Sequence, residues 1–177
     1  MKRQIVGLRM PSTKLPPEHH VVRNVPWARL RKDDADPERV IGVLGDAFKL
    51  READEGVLSS TWVEYFAGSP VEKIENAIKA MRASKLEIRA KSGFVVGKVQ
   101  AIVTLANDKG YKIRVLHEPE GDNNAHVAMR RWPNEDMEFF ELLAAEAWSE
   151  LVMNSDISSG ALAASDQSDY QSSEEDS

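Results

Sequence analysis

Ser69-Pro70-Val71-Glu72 has the form of a helix start, and the residues after it constrain the fold more than any other stretch. Serine and a glutamate three residues on can satisfy each other's free amides, and proline in the first turn loses nothing because its missing N–H would have no partner there. Val71, Ile74, Ile78 and Met81 then recur on one face, with Glu75 and Lys79 spaced to pair on another. A second helix is predicted where Val99, Ile102, Val103 and Ala106 share a face. Lys109-Gly110 closes it, the cation meeting the negative helix end and glycine supplying the left-handed conformation. A third is predicted after Pro133-Asn134, with Met137, Phe140, Ala144, Ala147 and Leu151 as its buried stripe, Leu143 and Trp148 widening it, and an end near Val152.

Around these helices the apolar residues alternate in short runs. His19–Val25 reads as a strand ended by Pro26, Arg39–Leu44 as a second with Gly42 weakening it or marking a bulge, and Leu86–Ala90 and Tyr111–Leu116 as two more. Phe94–Gly97 fits a strand or a helix entry, and Asp46–Arg51 a strand or a short helix. Thr61-Trp62-Val63-Glu64 repeats the capping-box spacing and predicts a helical turn through Phe66, stopped at Gly68. Strands mixed irregularly with helices predict an α+β domain in two layers, a small mixed or antiparallel sheet packed with two or three helices. A doubly wound fold is disfavoured, since no glycine-rich phosphate loop follows a strand.

The 177 residues divide into an extended basic arm over 1–18, one domain over 19–153 and an acidic, serine-rich tail over 154–177 that reads as disordered. Residues 1–32 hold eight Lys or Arg against one acid, Glu18, whereas the tail holds six acids and no base. A net charge of −6 therefore leaves residues 1–153 neutral. Such segregation suits a protein partner, and the basic segment suits nucleic acid. The absence of cysteine excludes disulfides, thiolate catalysis and cysteine-type zinc sites. With no apolar run near the ~20 residues a bilayer requires, no membrane partner is expected, and the setting reads as cytoplasmic. No cofactor signature is present.

Candidate chemistry gathers between Tyr111 and Trp132. His117 and His126 flank a polar loop containing Glu118, Glu120, Asp122 and Asn124, and Arg130-Arg131-Trp132 follows. Imidazoles and carboxylates suit a divalent metal, but the spacing matches no zinc signature and no metal site is assigned. Placing the His19–Val25 strand beside Tyr111–Leu116 would bring His20 and Arg23 to His117 and His126. Such a cluster suits acid–base work on a phosphodiester, with arginine stabilising the developing anion. Arg130, Arg131 and Trp132, with Glu118 and Asn124, form a second candidate surface, able to hold a single strand by charge and stacking.

A different grouping follows chain order. Arg23 on a strand, then Ser59-Ser60-Thr61, then Glu118-x-Glu120 are similar to the arginine, serine-threonine-serine and paired-glutamate elements of one class of ADP-ribosyltransferases. The match departs at Trp62, where a final serine would stand, and at Pro119 between the glutamates. At the level of wording, HHVVRNVPWARLRKD, LSSTWVEYF, KSGFVVGKV and HEPEGDNNAHVAMRRW resemble a family of short, uncharacterised bacterial proteins over about residues 19–152, which implies one compact unit and no particular chemistry. The leading expectation is a binding or accessory module acting with a protein partner. The competing one is a histidine- and arginine-dependent enzyme acting on nucleic acid or a nucleotide, nuclease-like or ADP-ribosyltransferase-like.

Overall fold

The computed structural model describes residues 12–158; the basic arm up to residue 11 and the tail from residue 159 lie outside the described residues. Among the described residues there are nine strands: β1 (Thr13–Lys14), β2 (His20–Val25), β3 (Leu30–Lys32), β4 (Val40–Val43), β5 (Leu58–Trp62), β6 (Gly93–Lys98), β7 (Arg114–His117), β8 (His126–Arg130) and β9 (Glu150–Met153). Seven make one sheet in the order β1-β7-β8-β5-β2-β6-β9, every neighbouring pair antiparallel, while β3 and β4 form a separate ribbon. The expected α+β class with an antiparallel sheet is what the chain adopts.

Helices cover both faces, so the layering is threefold where two layers were expected. Central strands β2 and β6 are apolar on both sides, and such strands require cover on both. Val21 and Val25 of β2 and Val95 of β6 pack with α2 (Val99–Asp108) and α3 (Met137–Leu142) through Ile102, Phe139 and Phe140, and with Leu143 just beyond α3. On the reverse, Val22, Phe94, Val96 and Val152 pack against Ile74, Ala77, Ile78 and Met81 of α1 (Pro70–Ala83). The α1 start is as the sequence dictates: the Ser69 amide donates to Glu72 Oε2 at 2.7 Å and the Glu72 amide to Ser69 Oγ at 3.3 Å. Those bonds hold the Glu72 carboxyl below its ordinary range. Ser69→Ala should therefore cost about 1 kcal/mol in chemical denaturation. The Glu72 contribution is present at neutral pH and is lost as the carboxyl protonates in acid.

Several expected elements differ. Leu86–Ala90 forms no strand. Ser59–Thr61 lie within β5 rather than at a helix cap, because pairing with β8 satisfies their backbone. The third helix is capped by Asp136, whose side chain accepts from the Phe139 amide at 3.0 Å, and is only 6 residues long. It widens into a π turn over Leu143–Ala147, and Glu150–Met153 leaves to pair with β6 as an edge strand. The arm ends ordered: Thr13 and Lys14 pair with β7 and Leu15 is buried. Beyond β9 a short helix, α4 (Asn154–Ser158), occupies the start of the expected tail.

Candidate active-site cleft

The sheet is split at its centre. β2 and β5 share only two partner pairs, Val21↔Trp62 and Val22↔Thr61. From Arg23 onward β2 pairs only with β6, and Leu58–Ser60 pair only with β8. The strands diverge where the side chains turn polar, and a cavity of about 570 Å³ opens there. That volume lies within the ~300–1,000 Å³ typical of small-molecule sites.

Arg23 stands in the split. Strand alternation sends it toward the α2/α3 face with Val21 and Val25. Its Nε donates to the Ala47 carbonyl at 3.2 Å and an Nη to the Ser59 carbonyl at 2.6 Å, so it bridges two segments that the ladder leaves apart. Desolvation by the surrounding protein lowers its pKa to about 10, yet the cleft admits solvent to it, and it stays charged at neutral pH. No carboxylate of the described residues lies within 4.0 Å of this guanidinium. Arg29 and Arg51 line the same wall, paired with Asp46 and Asp54. Burial alone would raise the Asp54 carboxyl, but hydrogen bonds from the Arg51 side chain and amide bring it below its ordinary range.

The far side is built on β5, β8 and the loop before β8. Thr61 lies opposite His126 in the ladder and therefore shares its face. Asn123 Nδ2 donates to Thr61 Oγ1 at 2.9 Å while Asn123 Oδ1 accepts from the Ala125 amide at 3.1 Å. Glu120 and Asn123 exchange backbone hydrogen bonds at 3.0 and 3.1 Å, so the loop closes on itself, and the Asn123–Thr61 bond ties it to the sheet. The Lys85 amide donates to Asp122 at 2.9 Å, which lowers that carboxyl's pKa. His126 is 7% exposed, with Nδ1 2.9 Å from the Glu118 carbonyl oxygen and Nε2 3.5 Å from Glu120 Oε1. Neither Nε2 nor the buried Ser60 Oγ has a hydrogen-bond partner. They are no nucleophile–base pair, since Ser60 and Thr61 alternate and Ser60 points to the face opposite His126.

Of the residues singled out by sequence, Arg23 and His126 line this cleft, together with Ser59–Thr61 and Glu120. The four histidines do not converge. His117 lies opposite Val127, one residue from His126, so it faces the other side of the sheet, bonded to the Asn124 carbonyl at 2.7 Å and packed on Trp62. His20 Nδ1 is 2.6 Å from Glu64 Oε1, and β2 is separated from β7 by β5 and β8, so the supposed adjacency of those strands does not form. His19 accepts from Trp62 Nε1 at 3.1 Å. Arg130 grips Glu118 through two bonds of 2.5 and 2.6 Å, which raise the arginine pKa. Trp132 is no stacking platform: it is 5% exposed, donates to the Phe48 carbonyl at 2.8 Å and packs on Phe139 and Phe140. Arg131 is exposed and left-handed at φ 58°, and Asn124 contributes its carbonyl rather than its amide.

Sequence reasoning passed over Arg29, Arg51, Asp54 and Asn123. The Arg51-x-x-Asp54 spacing was a visible signal, whereas the Asn123 role depends on a partner 62 positions away. Among the described residues no cluster of three or more His, Asp or Glu is placed to hold a metal ion, and no helix is long and apolar enough to cross a membrane. No family model, curated protein or solved structure matches the chain.

Proposed function

We propose that the chain is an NAD-consuming enzyme of the ADP-ribosyltransferase type, with the dinucleotide lying in the split between β2 and β5. The observation that carries this reading is Arg23, a desolvated guanidinium reachable from the cleft and held by two carbonyls with no carboxylate in ion-pair range. Asp54 acts on this cation only from beyond ion-pair range, and a pyrophosphate in the cleft supplies a closer opposite charge. Guanidinium has five N–H groups; with two committed to carbonyls, it keeps donors for a bidentate phosphate contact.

The other wall suits the chemistry. As the bond from nicotinamide nitrogen to ribose C1′ breaks, its electron pair stays on the ring nitrogen, nicotinamide leaves neutral and positive charge passes to the ribose. A nearby carboxylate stabilises such an oxocarbenium-like state. Glu120 lines the cleft, whereas Glu118 is turned to Arg130, so one member of the glutamate pair serves the site. Arg23, Ser59–Thr61 and Glu120, far apart in sequence, line one cavity, which supports the resemblance their chain order suggested.

Titration calorimetry with NAD and chromatography of released nicotinamide test this directly. Glu120→Gln should slow nicotinamide release about 100-fold while NAD affinity stays within about threefold, the pattern of a group acting mainly in the transition state. A wild-type protein that neither binds nor consumes NAD ends the proposal and returns the protein-binding module to first place.

A further inference from the structure

Resting on the NAD reading, we infer that His126 removes the proton from the ADP-ribosyl acceptor, so that the acceptor is a neutral O–H group, water or a hydroxyl, rather than an anion. The Glu118 carbonyl can only accept, so the neutral imidazole carries its proton on Nδ1 and its lone pair on Nε2. Nε2 has no hydrogen-bond partner and belongs to a side chain lining the cleft, but it is closed to solvent with Glu120 Oε1 3.5 Å away, so an acceptor reaches it once a neighbouring side chain such as the exposed Glu120 shifts. An orphaned buried acceptor is costly, and a ligand O–H is the donor it lacks. The ring is positioned independently of any ligand by strand pairing with Thr61 and by the Glu118 carbonyl.

In the step itself, an acceptor oxygen lone pair forms the bond to C1′ as the C1′–nitrogen bond breaks toward nicotinamide, and the acceptor proton passes to Nε2. Glu120 Oε1, 3.5 Å from Nε2, stands where it can pair with the imidazolium so formed. An azide or formate ion has no proton to lose and would not need the base.

The test compares wild type, His126→Ala and His126→Asn. The asparagine amide can keep the bond to the Glu118 carbonyl and so guards against misfolding. NAD is supplied in water, in water with methanol, and with sodium azide. Both variants should bind NAD normally yet release nicotinamide about 100-fold to 10,000-fold more slowly in water and methanol. Azide should restore release and yield the azido-ribosyl product. A folded, NAD-binding variant that keeps its solvolysis rate within threefold, or that azide fails to rescue, overturns the role of His126 and leaves the NAD reading standing. No release by wild type removes the NAD reading and this inference with it.

Discussion

Arg23→Gln is expected to weaken NAD binding at least 100-fold. Removing one partner of a desolvated charge–phosphate contact costs about 2–5 kcal/mol, and 2.7 kcal/mol corresponds to about 100-fold. The fold should tolerate the change. The Ala47 and Ser59 carbonyls lose a shared donor, which destabilises, but a desolvated cation without a carboxylate partner is also removed, which offsets much of that loss. Arg23→Lys keeps the charge but cannot serve two carbonyls and a phosphate with one compact ammonium, so its affinity should fall between the two. Calorimetric titration with NAD beside a thermal scan separates affinity from stability. An Arg23→Gln protein that binds NAD within threefold of wild type sinks the assignment of the pyrophosphate to this arginine.

How much of this could be read from the residues depends on the range of each interaction. Helices α1 and α2 were legible because a 3.6-residue stripe and its end signals are local. β5 was misread because Thr-x-x-Glu spacing occurs in strands as well as at helix starts, and pairing with β8, more than 60 positions away, decided between them. β9 was hidden by the π turn before it, since Leu151 continues the stripe that α3 begins. The histidines teach the same lesson in register. His117 and His126 sit on paired strands, but His117 faces Val127 across the ladder, and that one-residue offset turns the two rings to opposite faces. Arg23 was recognisable as a candidate by type, yet the absence of a carboxylate in contact with it is a property of three dimensions. Trp132 beside two arginines looked like a surface platform because sequence adjacency says nothing about the Phe48 carbonyl that buries its indole N–H.

That carbonyl belongs to the segment joining core to cleft, and Phe48→Ala is the substitution expected to cost the most stability. Phe48 is 0% exposed and stacks on Trp148 with ring centroids 5.2 Å apart. Truncating such a ring costs about 3–5 kcal/mol, a fall of roughly 10 °C in melting temperature for a domain of this size. Little relief by collapse is available. Gly45, at the start of the same 3₁₀ turn, lies so close to α3 that a Cβ there would stand 2.6 Å from the Glu141 nitrogen, and its amide donates to Glu141 Oε1 at 3.0 Å. The turn is thus fixed at Gly45 by α3, at Phe48 by Trp132 and Trp148, and between them Ala47 offers the carbonyl that seats Arg23. Loosening Phe48 should therefore reach the cleft as well as the core, lowering NAD affinity severalfold at temperatures where the variant is still folded. In an Arg23→Gln background the same truncation should cost stability but no further affinity, because the seat no longer holds anything. A double-mutant cycle measured by calorimetry reads this coupling. Additive losses of affinity would mean that the 3₁₀ turn supports the core alone.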